Sequence, residues 1–353
     1  MQRATKAALL GAALVLGGCD ACSEPPPSHS KPNGIPPATS SRATAPDTIA
    51  DPLAPDHPIV IDTQPRADAG NWVKARPGFQ ASRTRAQRDG IEPCAKQPVD
   101  TSGFEDWAAV SQGKFTAPRG LVLDDSGGFE LVIHLLGDEP IRRELISSRQ
   151  PFALYSMTVG QNQSYARLFT GTQLQSSIVA GVEQALSKRL GKPARVRHLA
   201  MSAWSAGFVG IEAALAQPSA NQIDAVILID GLHAPRGNEP AFKAQMKPFV
   251  DFAARAARGE RSFFVSHSSI DPPDFASTSE CAHYLIASLG GKPRAVRRAE
   301  RFGLELVEYF SDGDFQVRGY AGNDRADHCA QLAVLRDAFS ALGRRWKTHE
   351  LSR

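Results

Sequence analysis

Surplus charge is what this chain most plainly lacks: its 353 residues carry 40 Lys and Arg against 37 Asp and Glu, a net +3. Such a balance excludes the concentrated basic face of a nucleic-acid binder. The Arg-containing stretch from Lys74 to Arg88 reads as a solvated lead-in. An internal repeat is absent, as are an H-E-x-x-H motif and a tight H-x-H pair. Neither a metal nor a cofactor is therefore expected, although His134, His233, His267 and His328 all fall where one crevice would collect them. Cysteine is sparse, at five residues: Cys19, Cys22, Cys94, Cys281 and Cys329.

Two kinds of segment are present instead. The start carries Arg3 and Lys6, then an apolar stretch from Ala7 to Val15 and the small residues Gly17 and Gly18 before Cys19. A charged start, a short apolar core and small residues describe a secretory signal over residues 1–18, too short for a spanning helix. The tetrapeptide L-G-G-C resembles the lipobox of bacterial lipoproteins, which implies cleavage before Cys19 and a membrane anchor on that residue. Residues 19–69 are rich in Pro, Ser, Thr and Ala and read as a semi-rigid disordered linker. Residues 70–117 form the lead-in, and 118–353 suit one α/β domain. With Cys19 lipidated, four cysteines remain in an oxidising compartment; Cys281 with Cys329 is the preferred disulfide, and Cys22 with Cys94 the weaker choice.

From Gly120 onward apolar strands alternate with amphipathic helices, the pattern of a mostly parallel sheet covered on both faces. Strands are expected at 121–123, 130–135, 152–159, 196–201, 225–229, 262–266, 304–310 and 315–320, the last two forming a hairpin about Asp312-Gly313-Asp314. Leu174, Ile178, Val182, Leu186 and Leu190 place one apolar stripe on a helix, and Phe242, Met246, Phe249 and Phe252 another. In such sheets ligands bind beyond the carboxyl ends of the strands. There this chain is polar: His134 with Leu136-Gly137, then Tyr165, Ser205, Asp230 with His233, His267 with Asp271, and finally His328.

Residues 202–207 read S-A-W-S-A-G between a strand and a helix. Small residues flanking a serine at such a junction permit the sharp turn that exposes a nucleophilic hydroxyl, with Ala203 standing in place of the first glycine of G-x-S-x-G. Together with the strand ending in H-L-L-G, the acidic residues at the next two strand ends and the late histidine, this resembles an α/β-hydrolase of the serine esterase or depolymerase kind over residues 118–345. The resemblance implies Ser205 as nucleophile, His328 as base, and Asp271 as acid in preference to Asp230. It implies an oxyanion hole from the N–H groups of Ala206 and of Leu136 or Gly137. His134, Tyr165, Trp204, His233 and His267 would line the substrate site, and residues 232–259 would lie where relatives insert a cap. The implied substrate is a small or polymeric carboxylic ester, with amides the alternative. The competing expectation is a catalytically silent lipoprotein that binds a ligand or partner in the same crevice.

Overall fold

The computed structural model describes residues 99–159, 162–170, 173–322 and 325–351, all within the unit that spans residues 50–353. The expected signal, Cys19, Cys22, Cys94 and the linker lie outside the described residues.

Ten strands form one sheet: β1 (Ala108–Val110), β2 (Gly113–Thr116), β3 (Gly128–Leu135), β4 (Ala153–Met157), β5 (Arg195–Trp204), β6 (Ala225–Ile229), β8 (Ser262–His267), β10 (Arg294–Ala299), β11 (Glu305–Asp312) and β12 (Phe315–Ala321). Their order is β1-β2-β4-β3-β5-β6-β8-β12-β11-β10. The six central strands from β4 to β12 are parallel, and β1, β2, β11 and β10 add antiparallel edges. A separate pair joins β7 (Ala234–Pro235) to β9 (Phe275–Ala276).

Alternation along each strand decides which layer a side chain joins. Leu131, Ile133 and Leu135 of β3 face one core together with Met201, Val226 and Val265 of its parallel neighbours. Helices α2 (Asn162–Phe169), α3 (Leu174–Leu190), α4 (Phe208–Leu215), α5 (Glu239–Ala257) and α6 (Thr278–Ser288) contribute to that core through Phe169, Ile178, Ile211, Phe249 and Leu285. Val132, Leu154, Ala200 and Ile227 face the opposite core, built with Ile141 and Leu145 of α1 (Asp138–Ser148) and with Leu335, Phe339 and Trp346 of α8 (Val334–Leu351). Burial on both faces explains why the central strands read as continuous apolar runs.

The chain runs from β3 to β4 on one side and returns to β5 on the other, so the strand order reverses at β3. Loops leaving neighbouring strands in opposite directions open a crevice at their carboxyl ends. Ser205 follows β5 and the H-L-L-G segment closes β3, so both border that reversal.

The expected α/β plan holds, and so does the hairpin, with Asp312 paired to Phe315 and Gly313 at φ 52. Three expectations are corrected. The sheet begins at Ala108 rather than after residue 118, because β1 and β2 pair onto β4; conversely, residues 121–123 form no strand, although Leu121 and Leu123 are buried. Residues 232–259 do not form a cap: Met246, Phe249 and Phe252 of α5 are at most 3% exposed and pack into the core beneath the sheet. Cys281 is a buried free thiol, so the pairing with Cys329 is not made.

A Cβ added to Gly207 would overlap the Leu135 carbonyl group, which is how closely the turn after β5 approaches the end of β3. Gly207→Ala is expected to destabilise the domain by about 1–3 kcal/mol, the ordinary cost of overpacking. Urea unfolding followed by far-UV circular dichroism measures it.

Candidate active site

Strand β5 ends at Trp204, and Ser205 opens a single 3-10 turn, Ser205–Gly207, that runs directly into α4. Ser205 is half-buried and sits at φ 50. A left-handed conformation at a non-glycine residue costs about 1–3 kcal/mol and persists only where its surroundings enforce it. Here the enforcement is visible. A Cβ on Gly231, at the end of β6, would overlap the Ser205 carbonyl and crowd its N–H, so the two turns interlock backbone to backbone. Leu136 after β3, at φ 75, and Asp230 after β6, at φ 42, share this conformation. Three strained non-glycine residues thus stand at the carboxyl ends of β3, β5 and β6, which are consecutive in the sheet.

His328 lies in the short helix α7 (Arg325–Ala330) that follows β12. Its Nδ1–H donates to Asp230 Oδ2 at 2.7 Å. Asp230 is 1% exposed, and its other oxygen, Oδ1, accepts from the Ser268 backbone N–H and from Thr278 Oγ1, each at 2.8 Å. Burial alone pushes the Asp230 carboxyl up; the hydrogen bond and charge of His328, with the Thr278 and Ser268 donors, outweigh it and hold the carboxyl below its ordinary value. With Nδ1 committed to the carboxylate, Nε2 of a neutral His328 is the ring's proton acceptor. Trp204 fixes the ring from the side, stacking on it at 4.8 Å between centroids while its Nε1–H donates to the His328 carbonyl at 3.3 Å. The residue before the serine therefore touches His328, and the residue after the aspartate touches the serine.

The preference for Asp271 is corrected by this geometry. Asp271 is 46% exposed and its carboxylate is paired with Arg236 at 2.5 Å, an arginine that also holds Glu280 at 2.8 Å. Asp230 is the carboxylate hydrogen-bonded to His328. Leu136 is corrected as an oxyanion donor, because its N–H is spent on the Met157 carbonyl at 3.0 Å, continuing the β3–β4 ladder. Gly137 N–H makes a longer bond, 3.2 Å, to Thr158 Oγ1. Ala206 N–H belongs to the first turn of a helical run, where N–H groups have no intrahelical acceptor.

Among the residues expected to line the substrate site, three are buried and engaged elsewhere. His134 is wholly buried: since a carbonyl only accepts, Nε2–H donates to the Leu136 carbonyl at 2.8 Å, and Nδ1 accepts from Ser202 Oγ at 2.6 Å. Burial pulls this imidazole down to about 4, against the Leu136 carbonyl and the Asp138 charge, which act upward. It staples the H-L-L-G turn from within the core. Tyr165, also wholly buried, accepts from Val159 N–H at 3.1 Å and reaches the Met157 carbonyl at 3.3 Å. His267 is 3% exposed and turned toward Glu308. Trp204 and His233 are half-buried, and His233 feels the charges of both Asp230 and His328. Burial brings His233 down to about 4, with its Nδ1 3.0 Å from the Ala276 carbonyl.

Sequence reasoning missed Thr278 and Ser202. A usable signal existed for the first: Ser277 and Glu280 form a capping box, with Ser277 Oγ accepting from Glu280 N–H at 3.1 Å and Glu280 Oε2 accepting from Ser277 N–H at 2.7 Å. That signature fixes Thr278 as the first residue of α6. A separate cavity of about 530 Å3, lined by Val209, Glu212, Lys247, Phe252 and Arg255, contains none of the residues just described; burial there raises the Glu212 carboxyl to about 7.

The sheet order, the strand-to-helix serine turn and the late histidine define an α/β-hydrolase-like fold. No protein-family model matches the chain, and no curated protein matches it either. Among solved structures it is similar to BES protein from Bacillus cereus, at 12% identity over 71% of this chain and 98% of that one, with a TM-score of 0.40. It is also similar to ferric enterobactin esterase from Salmonella typhimurium, at 9% identity over 72% of this chain and 60% of that one, with a TM-score of 0.41. A thermostable esterase gives 13% identity, 69% and 62% coverage and a TM-score of 0.40.

Two outcomes follow from the staples. Folded His134 stays neutral down to about 4 whereas an unfolded histidine protonates near 6.5, so the unfolded state binds the extra proton. Stability is full above about pH 6.5 and falls as pH drops toward 4, by about 3 kcal/mol for this one group. His134→Asn is expected to be less stable at neutral pH but to lose less on acidification, as read by denaturant midpoints across that window. Gly231→Ala is expected to displace Ser205 and lower activity even where circular dichroism reports a folded domain.

Proposed function

We propose that the protein is a serine hydrolase of carboxylic esters, anchored to the bacterial cell envelope through Cys19. The observation that carries the reading is the buried Asp230–His328 hydrogen bond of 2.7 Å set beside a serine held at φ 50 on a strand-to-helix turn. In this reading His328 Nε2 takes the Ser205 Oγ proton as the oxygen attacks the ester carbonyl. Asp230 keeps the ring in the tautomer that leaves Nε2 free and stabilises the imidazolium that forms. Ala206 N–H, at the helix start, is the first donor to the tetrahedral oxyanion, and Gly137 N–H, exchanging its 3.2 Å bond to Thr158 Oγ1, is the second. The alcohol leaves with the proton from His328, water enters on the same base, and the acyl-serine is hydrolysed. No metal or cofactor enters these steps. Trp204 and His233, half-buried around the acid–base pair, border the substrate; amides are the second substrate class.

One observation favours a different reading. Both backbone donors after β3 already have internal partners, Leu136 in the Met157 carbonyl and Gly137 in Thr158 Oγ1. A site that never releases Gly137 lacks half its oxyanion hole and would act as a silent module binding a ligand or partner in the crevice.

Labelling with a fluorophosphonate followed by peptide mapping separates the two. The expected result is an adduct on Ser205, absent in His328→Ala; a folded wild-type protein that takes no label supports the binder. With a p-nitrophenyl ester, His328→Ala is expected to lose at least about a thousandfold in kcat, and Asp230→Asn a factor on the order of 10^4. Asp271→Asn is expected to change kcat less than about threefold, since only an exposed ion pair is lost. Equal losses in the two aspartate variants would overturn the assignment of the acid. Membrane partitioning of the full chain, abolished by Cys19→Ser, tests the anchor.

A further inference from the structure

A second cluster lies one residue beyond the pair's support, and the hydrolytic reading does not use it. His267 ends β8, Glu308 lies on β11, and Gly319 on the intervening β12 pairs with both, so the three form a row across the sheet. A Cβ on Gly319 would overlap His267 and Glu308 at once. The missing side chain leaves a gap over which its two neighbours reach toward each other. His283, from the middle of α6, closes the group from above, its ring 5.5 Å from that of His267 and turned 77° to it. The ligating atoms of His267, His283 and Glu308 all lie within 4.8 Å of one another.

We propose that His267, His283 and Glu308 bind one divalent transition-metal cation of the zinc type. Both imidazoles converge on a single carboxylate oxygen: His283 Nε2 is 2.7 Å and His267 Nε2 3.0 Å from Glu308 Oε1. Yet His267 Nε2, on a side chain 97% buried by its 3% exposure, is out of line for donating to that oxygen and has no hydrogen-bond partner. A poorly aligned buried nitrogen aimed at a carboxylate and a second imidazole offers a lone pair to the space between them, which a cation satisfies. Its other nitrogen, Nδ1, faces the Ser268 carbonyl at 3.5 Å, the arrangement in which a metal-bound imidazole carries its remaining proton toward a backbone acceptor. Two imidazoles and one carboxylate suit zinc and its neighbours rather than calcium or magnesium, which require oxygen ligands. Glu308 and His283 side chains retain 16% and 18% exposure, leaving an open side for a water as fourth ligand.

The site has a purpose in the architecture. His267 precedes Ser268, and His283 shares α6 with Thr278; Ser268 and Thr278 are the two donors to Asp230 Oδ1. A cation joining β8 to α6 clamps the two elements that hold that carboxylate. Binding itself is independent of whether Ser205 reacts, so its test stands apart from the test of hydrolysis.

Purified full-length protein is stripped with a chelator, dialysed, and titrated calorimetrically with Zn2+, with bound metal counted by mass spectrometry. The expected result is one Zn2+ per chain, a rise in thermal midpoint on saturation, and tetrahedral d–d absorption when Co2+ replaces zinc. Glu308→Gln, which preserves shape, and His283→Ala at the half-buried rim are each expected to weaken binding at least about tenfold and to remove the thermal shift. His198→Ala, on the opposite face against Trp346, is expected to bind as wild type. Absence of saturable uptake by the wild type, uptake unchanged in both ligand variants, or equal binding of Ca2+ would each overturn the proposal.

Discussion

A buried carboxylate is the constraint around which this end of the sheet is organised. Asp230 is removed from water at a cost of several kcal/mol, and that cost is offset only if the ion is fully hydrogen-bonded. Its partners come from three separate places in the chain: the backbone after β8, the first turn of α6, and His328 on α7. Removing any one leaves a buried oxygen short of a donor. The ends of β6 and β8 and the starts of α6 and α7 are thus held to one another by the requirement to satisfy two oxygen atoms, and His328 inherits its orientation from that requirement.

Strain is the other organising feature. Leu136, Ser205 and Asp230 adopt left-handed backbone at the carboxyl ends of consecutive strands, and each is pinned by an identifiable contact. The Leu136 turn is held by the His134 staple to its carbonyl and by Asp138, which accepts from Ser156 at 2.8 Å and Thr158 at 2.7 Å. The Ser205 turn is wedged between the Leu135 backbone, reached through Gly207, and Gly231. Strain of this kind is retained where the surroundings over-determine it; Ser111, Arg149 and Phe302 share the conformation singly elsewhere, and this rim stands apart by its recurrence at the ends of three consecutive strands.

Much of this was readable from residue order. Central strands declared themselves as unbroken apolar runs because both faces are buried, and Leu174 to Leu190 declared a helix by its four-residue stripe. The serine turn was visible in A-W-S-A-G because a sharp strand-to-helix turn demands small neighbours at fixed offsets. What escaped was decided by tertiary packing. Strands β1 and β10 are edge strands and β2 the short strand inside β1, all with few buried positions, so their alternation is weak. The helix of residues 239–257 reads as amphipathic wherever it lies, and only contact with Phe263 and Phe315 reveals a core helix rather than a cover. Asp230 and Asp271 both follow strands, and sequence alone does not reveal that Arg236 neutralises one while Thr278 and Ser268 enclose the other. His134, Tyr165 and His267 carry the same side chains a substrate pocket would use; burial, which no single sequence prints, turns them into braces.

The absent side chain at Gly231 carries a consequence for anyone remodelling the protein. Because the backbone there lies directly on the backbone of Ser205, the turn bearing the acid and the turn bearing the hydroxyl behave as one moulded part. Loop grafts that exchange one without the other would lose register at the seam, whereas transplanting the β5 and β6 turns together preserves it.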